Sequence, residues 1–178
     1  MGLFVAIDCN AEKEYFKRLQ GQLPKDGAKL SLTGDFHLTL KFLGEVMPRK
    51  IEKAKEALRV VEFAPFSFSL SDVGVFPDES SPRVVWVGIG PQESSIELQK
   101  NIEKALHGLF EKEKRFHPHI TLARIRGMEQ PKDFIEKIKI IRVEKRMICV
   151  RRFHLVNSTV TPHGSVYEHI LSIEARDR

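Results

Sequence analysis

Two short stretches of this sequence carry the same residue types in the same order. His37-Leu38-Thr39-Leu40 and His119-Ile120-Thr121-Leu122 each read His-x-Thr-x, in which x is apolar. Residues two apart along a β-strand point to the same face of a sheet. If each stretch is a strand, it therefore sets an imidazole and a hydroxyl on one face and two apolar side chains on the other.

Two imidazoles that face one substrate are suited to general acid–base catalysis. The unperturbed histidine pKa of about 6.5 allows one ring to be neutral and the other protonated near pH 7. The neutral ring takes a proton from a nucleophile, and the protonated ring gives one to a leaving oxygen. Threonine hydroxyls beside them donate hydrogen bonds to anionic oxygens. This chemistry fits in-line displacement at a phosphate diester, and it needs no metal when the leaving oxygen is protonated.

Three further residues near the motifs are candidates for substrate binding. Lys41 lies on the same strand face as His37, by alternation. His117 shares a face with His119 if the strand is straight, and otherwise lies exposed where the strand begins. Arg124 falls on the face opposite His119, so it reaches substrate only through a bulge or at a strand end.

Hydrophobic patterning predicts that strands and helices alternate around both motifs. Asn10 is predicted to cap the first helix, and Ser94-Ser95-Ile96-Glu97 reads as a capping box for the third. The predicted strands are 3–8, 29–32, 36–43, 66–76, 84–89 and 118–123, with a hairpin over 146–161 and 166–174, and the predicted helices are 11–22, 48–60, 94–110 and 132–140.

The order of these elements indicates an internal duplication. Ile7 precedes His37 by 30 residues, and Ile89 precedes His119 by 30 residues. We interpret residues 1–178 as one domain whose halves, roughly 1–80 and 81–178, each carry one motif. Two similar lobes related by a pseudo-twofold axis would place their motif strands face to face across a cleft.

Composition narrows the class of protein and of partner. The chain has 178 residues, a net charge of +5 and a pI of about 9.2, with 42% hydrophobic and 30% charged residues, which is typical of a soluble globular protein. The basic balance favours an anionic partner. The two cysteines form no metal-binding spacing, and no apolar run approaches the roughly 20 residues that span a bilayer. We predict a cytoplasmic protein without membrane association.

Four histidines lie outside the motifs and the His117 position. His107 is predicted on the surface of a helix. His154 and His169 fall in the terminal hairpin and His163 in its turn. We predict structural or exposed positions for these three, with the turn in a position to overhang the cleft.

The two motifs are similar to the paired signatures of the 2H phosphoesterase superfamily. The flanking strings Leu40-Lys41-Phe42-Leu43-Gly44 and Pro118-His119-Ile120-Thr121-Leu122-Ala123-Arg124 resemble its archaeal and bacterial RNA 2′,3′-cyclic phosphodiesterases, also called 2′-5′ RNA ligases. The resemblance covers nearly the whole chain. It implies a two-lobed α+β fold, in which each lobe is an antiparallel sheet with two helices packed outside and the active-site cleft lies between the sheets.

The resemblance also implies a reaction, which is hydrolysis of an RNA 2′,3′-cyclic phosphate to a 2′-phosphomonoester without metal or cofactor. By motif position, His37 is the proton donor to the departing 3′-oxygen and His119 is the proton acceptor that activates water. Thr39 and Thr121 hold the non-bridging oxygens, and the two histidines exchange roles in the reverse direction, an ATP-independent 2′-5′ ligation. The implied partners are RNA ends with a 2′,3′-cyclic phosphate, tRNA fragments among them, or cyclic nucleotides, acted on by a monomer.

Two other functions remain open on sequence grounds. A non-catalytic RNA- or nucleotide-binding protein fits the basic charge, but Phe36 and Phe42 fall on the face opposite His37, in the predicted core, and so provide no stacking platform. A metal-dependent hydrolase using His37, His117 and His119 lacks an obvious carboxylate ligand on the motifs.

Overall fold

The computed structural model describes residues 2–177. Within them it has nine strands and four α-helices, and none of these helices is long and apolar enough to cross a membrane. The strands are β1 (Gly2–Asp8), β2 (Ala28–Leu32), β3 (His37–Glu45), β4 (Phe66–Phe76), β5 (Val84–Gly90), β6 (His119–Met128), β7 (Met147–Val150), β8 (Arg152–Thr161) and β9 (Gly164–Glu174). The helices are α1 (Lys13–Gly21), α2 (Pro48–Arg59), α3 (Glu93–Ala105) and α4 (Pro131–Lys139).

Both motifs lie in strands as predicted, but the two predicted helix caps are wrong. A short 3-10 turn over Asn10–Glu12 precedes α1, and the Asn10 side chain does not cap the helix. Its amide instead donates to Asp8 and Asp35, and its oxygen accepts from the Phe36 N–H at 3.0 Å. The third helix starts at Glu93 without a side-chain cap and ends at Ala105 rather than at 110.

The strands form an antiparallel sheet in the order β7-β4-β5-β6-β3-β1-β8-β9, and β2 also pairs with β6. The prediction of an α+β fold with antiparallel strands and four helices is confirmed. Two groups of strands, β7-β4-β5-β6 and β3-β1-β8-β9, form the two lobes of the curled sheet. They meet where β3 pairs with β6, through Leu38 and Ile120.

The chain crosses between the two lobes more than once. Strand β4, from the first half of the sequence, pairs with β5 and β7 from the second half. Strand β8, from the second half, pairs with β1. Helix α1 contacts β6 and helix α3 contacts β3, so both halves of the sequence contribute to each lobe.

One hydrophobic core supports both motif strands from behind. Phe16 of α1 is fully buried and stacks on Phe36 with ring centroids 4.8 Å apart. The apolar motif residues pack into the same core, and each such burial is worth roughly 1.5–3 kcal/mol. These backing residues are Leu38, Leu40, Ile120 and Leu122, all at most 1% exposed. The core therefore fixes which face of each motif strand is turned outward.

Candidate active site

The four polar motif side chains line a single open cleft of about 1180 Å³. His37 and Thr39 enter it from β3, and His119 and Thr121 enter it from β6. All four are half-buried, in contrast to the buried apolar residues that alternate with them. The structure thus brings together the four residues for which the sequence predicts catalytic roles.

The register between β3 and β6 sets the arrangement of the four groups. Leu38 pairs with Ile120 in antiparallel orientation, so the middle residues of the two motifs are partners. The antiparallel direction then sets Thr39 toward His119 and His37 toward Thr121. Each imidazole is thereby accompanied by the hydroxyl of the other motif as well as its own.

A bulge interrupts the alternation of both motif strands at the same place. In β3 the register with β1 shifts at Leu40, and in β6 the register with β5 shifts at Leu122. Each of these leucines is the third residue after its motif histidine. The Leu122 carbonyl, at the bulge, accepts hydrogen bonds from Gln20 Nε2 at 2.9 Å and from the Thr33 N–H at 3.0 Å. Beyond each bulge the inward and outward faces are exchanged.

The prediction that Lys41 binds substrate is wrong, because the β3 bulge turns this residue into the core. Lys41 is 2% exposed, and its Nζ donates to Glu103 Oε1 at 2.8 Å and to the Glu111 carbonyl at 2.6 Å. Glu103 also accepts from Gln99 Nε2 at 3.2 Å and from the Glu113 N–H at 3.3 Å. Lys41 is thus half of a buried ion pair that ties β3 to α3.

The same bulges bring Phe42 and Arg124 into the cleft. Phe42 is 64% exposed and lines the cleft, so its predicted place in the core is wrong. Arg124 lines the cleft because the bulge in β6 turns it to the same side as His119. Arg126, which was not predicted from the sequence, lines the cleft beside it. The two lobes therefore present unlike groups at equivalent positions, an aromatic ring from β3 and a guanidinium from β6.

His117 supports His119 through its backbone, and its side chain is not among the cleft-lining residues. The His117 carbonyl lies 2.7 Å from His119 Nδ1. The exposed His117 ring packs on Phe76 and Trp86, with centroids 5.3 Å away in both cases. The His119 ring also meets Phe76 edge-on at 4.8 Å. The structure therefore does not support the prediction that the His117 side chain binds substrate.

The contact with His117 assigns the tautomer of His119. A carbonyl oxygen only accepts hydrogen bonds, so His119 Nδ1 carries the proton and Nε2 keeps its lone pair in the neutral ring. Burial lowers the pKa of His119, the hydrogen bond to the His117 carbonyl opposes this, and the charge of His117 lowers it again. His119 is thus a neutral base over a wider range of pH than a free imidazole.

His37 lies in different surroundings. Its ring contacts Phe4 at 4.8 Å and the edge of Tyr167 at 5.5 Å. Burial lowers the pKa of His37, the carboxylates of Asp35 and Asp8 raise it, and His119 and His169 lower it. Among residues 2–177, carboxylates that favour a protonated imidazole lie on the His37 side of the cleft, and none raises the pKa of His119.

The hairpin β8–β9 forms a third wall of the cleft. His163 and Tyr167 are on this wall, so the turn overhangs the cleft as its position in the sequence allowed. Lys13 adds a further cation from the start of α1. Tyr167 and Lys13 escaped the sequence analysis because nothing local to either residue indicates a cleft.

Three of the remaining histidines, His107, His154 and His169, are not among the residues that line the large cleft. His107 is exposed in the segment after α3, as predicted for a surface residue. His154 is buried and its ring stacks on that of His169 at 3.9 Å. Burial, followed by the charge of His169, lowers the pKa of His154 to about 4. Among residues 2–177, His37, His117 and His119 do not form a group with metal-ligand spacing, as the metal-dependent alternative would need.

A duplicated His-x-Thr pair on one curled antiparallel sheet defines the class of protein. The sequence profile of the family described as LigT like Phosphoesterase matches residues 7–86 and matches again over residues 88–167. Each match contains one motif. The chain belongs to this family of 2H phosphoesterases, and it is an enzyme of the phosphodiesterase type.

Similar proteins extend over nearly the whole chain. The protein of Methanocaldococcus jannaschii named RNA 2′,3′-cyclic phosphodiesterase is 36% identical over 176 residues, which cover 96% of this chain and 98% of that protein. The protein of the same name from Archaeoglobus fulgidus is 34% identical over 181 residues, which cover 98% of this chain and all of that protein.

Solved structures show the same architecture. TT0787 of Thermus thermophilus matches with a TM-score of 0.77 at 27% identity and covers 99% of both chains. Escherichia coli LigT complexed with 3′-AMP matches with a TM-score of 0.76 at 27% identity, covering 98% of this chain and 97% of that one.

Proposed function

We propose that this protein hydrolyses the 2′,3′-cyclic phosphate at the end of an RNA to a 2′-phosphomonoester. The observation that carries the proposal is the His37–His119 pair in one cleft, with His119 Nδ1 held by a carbonyl so that Nε2 is free to act as a base. The names of the M. jannaschii and A. fulgidus relatives supply the substrate class.

The proposed reaction uses the two imidazoles in turn. Nε2 of His119 takes a proton from water, and the oxygen of that water attacks the phosphorus. The bond from phosphorus to the 3′-oxygen breaks as His37 gives that oxygen a proton. His119 ends protonated and His37 neutral, and solvent restores both. No metal takes part in these steps.

The anionic substrate prepares His37 for this role. Burial alone favours the neutral ring, but a bound cyclic phosphate adds a negative charge to those of Asp35 and Asp8. Thr39 and Thr121 donate to the non-bridging oxygens, and Arg124 offsets the charge that grows in the transition state. Thr39, Thr121 and Arg124 thus stabilise the negative charge of the bound phosphate, and that charge favours the protonated form of His37.

The test is incubation with an oligonucleotide that ends in a 2′,3′-cyclic phosphate, in EDTA, with the product assigned as a 2′- or 3′-phosphate. We expect a 2′-phosphate from the wild type. His37→Ala and His119→Ala should each lose at least 10²-fold in kcat, because each proton transfer is worth about 10²–10⁴. A 3′-phosphate product, or more than about a tenth of the rate in either variant, would contradict the proposal.

The same groups can join two RNA ends when a 5′-hydroxyl takes the place of water. His119 takes the proton of that hydroxyl, its oxygen attacks the phosphorus, and the bond to the 3′-oxygen breaks as His37 protonates it, which gives a 2′-5′ phosphodiester without ATP. Cleavage of that 2′-5′ bond is the reverse reaction and uses the two histidines in exchanged roles. Water is far more concentrated than any RNA end, so hydrolysis is the main reaction. Incubating the cyclic-ended RNA with a 5′-hydroxyl oligonucleotide and resolving joined products measures the ratio of the two.

A further inference from the structure

Three residues of metal-binding types meet beside His37, and none of them transfers a proton or binds the phosphate in the proposed hydrolysis. Asp8 ends β1, His154 lies on β8 and His169 lies on β9. One ligand atom from each lies within 4.8 Å of the others. With His37 and others they line a small cavity, which has room of about 10 Å³ for the centre of a water-sized particle. An ion of about that size has space there.

Two of these side chains already have a hydrogen-bond partner at one of their two polar atoms. Asp8 Oδ1 accepts from the Asn10 N–H at 2.8 Å and from Asn10 Nδ2 at 3.0 Å. His154 Nδ1 lies 2.7 Å from Ser172 Oγ. Asp8 Oδ2 and His154 Nε2 therefore remain as ligand atoms, each on a side chain fixed by its other polar atom. Such outer contacts orient the ligands of protein metal sites.

The donor set and the spacing select the kind of ion. Two imidazole nitrogens and one carboxylate oxygen suit Zn²⁺, Co²⁺, Ni²⁺ or Cu²⁺, whereas Mg²⁺ and Ca²⁺ take oxygen ligands. Bonds of about 2.0–2.2 Å to zinc place two ligand atoms roughly 3.3–3.5 Å apart. His169 Nε2 and Asp8 Oδ2 are already 3.7 Å apart.

One side chain has to move for three bonds to form. The rings of His154 and His169 are stacked with planes 16° apart, and one ion cannot lie in both planes. The His169 side chain is 40% exposed and lies on the outer strand β9, so it is the ring that turns out of the stack. A rotamer change at an exposed side chain costs little compared with a metal–imidazole bond.

We propose that Asp8, His154 and His169 bind one divalent transition-metal ion of the zinc class. The ion would link β1, β8 and β9, and so hold the hairpin wall of the cleft against β1, the strand that pairs with the first motif strand β3. Because it binds the folded chain, it should stabilise the fold by mass action. It is a clamp on this wall of the cleft and takes part in no proton transfer, but its charge would offset the Asp8 carboxylate that favours a protonated His37.

The test is a calorimetric titration with ZnCl₂. The protein is full-length and tag-free, and it is stripped of metal with EDTA and then dialysed. We expect one equivalent with a Kd below about 10 µM, and a rise in the melting temperature with zinc. MgCl₂ in millimolar excess should not compete. His169→Gln and Asp8→Asn should each weaken binding by at least about 10-fold, since each removes a ligand.

Two matched variants keep the result interpretable. His107→Gln removes an exposed histidine elsewhere and should bind zinc as the wild type does. His37→Gln should also retain zinc binding although it loses turnover, so that failure of the proposed hydrolysis and failure of this site are separate results. Absence of saturable heat up to about 100 µM zinc would overturn the proposal. So would undiminished binding by folded His169→Gln, or loss of binding in His37→Gln.

Discussion

The two imidazoles in the cleft have the same motif but different electrostatic neighbours. Nδ1 of His119 is held by a carbonyl oxygen, which carries no full charge. His37 faces the carboxylates of Asp8 from β1 and Asp35 from the turn before β3, and it also faces His119 and His169. The acid–base assignment therefore depends on charges that lie outside both motifs.

Asp35→Asn tests this assignment through the pH profile of the reaction. Loss of the carboxylate should lower the pKa of His37, while the side-chain oxygen that accepts from Asn10 is kept. A general acid works only while protonated, so activity is lost as pH rises through its pKa. A lower pKa therefore moves the alkaline limb of kcat/KM to lower pH, by roughly one unit.

The exposed carboxylate of Asp26 supplies the control for that measurement. Asp26→Asn should leave both limbs of the profile in place. If Asp35→Asn moves the acidic limb and leaves the alkaline limb unchanged, His37 is the base and the roles of the two histidines are exchanged.

Strict alternation along single strands predicted four cleft residues and put three others, Lys41, Phe42 and Arg124, on the wrong face. His37, Thr39, His119 and Thr121 follow the strand period, so the sequence was sufficient for them. Lys41 and Phe42 come after the bulge, where the faces are exchanged. A bulge depends on the register with a neighbouring strand and on contacts such as those at the Leu122 carbonyl. The sequence near Leu40 carries no signal for it.

At the scale of elements, the misplaced lysine forms a polar link inside the core. Lys41 joins β3 to Glu103 of α3 and to the Glu111 carbonyl. A buried charge without its partner is costly, whereas a buried pair replaced by apolar groups of similar volume is often neutral. This link therefore affects stability far more than it affects substrate affinity.

Lys41→Met should lower the free energy of unfolding by about 3–5 kcal/mol, because it leaves Glu103 buried without a counter-charge. The double variant Lys41→Met/Glu103→Leu should recover most of that loss. Lys55→Met, which removes the half-buried partner of the exposed Glu52, should cost less than about 1 kcal/mol. Urea unfolding measures all three.

The KM of folded Lys41→Met separates the two roles of this residue. An unchanged KM at 25 °C is expected for a core residue. A KM raised tenfold or more would show that Lys41 contributes to substrate binding.

Gly74 of β4 leaves space for the ring of Trp86, which belongs to the aromatic support of His119. A Cβ at Gly74 would collide with the ring of Trp86, the residue that pairs with Gly74 from β5. Trp86 in turn contacts His117 at 5.3 Å, and the His117 carbonyl holds His119. Space at Gly74 is therefore linked to the orientation of the proposed base.

Gly74→Ala should displace Trp86, and we expect kcat to fall while the chain stays folded. Trp86 is the single tryptophan of the protein, so its fluorescence reports the displacement directly. Gly127→Ala, where a Cβ meets no atom within 4 Å, is the control. A changed Trp86 fluorescence together with an unchanged kcat would show that Trp86 does not support His119.

At the scale of the whole molecule, the topology contains strand pairings that the sequence could not predict. The duplicated spacing around Ile7 and Ile89 suggested two lobes facing one another, and the antiparallel α+β class is confirmed. Pairing of β4 with β7, and of β2 with β6, is non-local and follows no pattern within one segment. Each lobe is built by both halves of the sequence, so the cleft forms only when the entire chain folds.

The charge distribution over the cleft predicts how RNA length affects binding. The net charge is +5, and Arg124, Arg126 and Lys13 all line the cleft. Arg124 and Arg126 lie two residues apart on one strand and can hold successive phosphates, whereas a cyclic mononucleotide has only one. Neutralising one phosphate of a single strand contributes a slope of roughly −0.7 to the dependence of log affinity on log salt.

Arg126→Ala should therefore raise the KM for a cyclic-ended oligonucleotide and reduce its salt slope by roughly 0.7, with a smaller effect on a cyclic mononucleotide. Arg59→Ala, at the end of α2 and not among the cleft-lining residues, removes the same net charge. Equal effects of the two variants would mean that overall charge attracts the RNA. A selective effect of Arg126→Ala on the longer substrate would mean that the β6 wall of the cleft carries the phosphate next to the cyclic end.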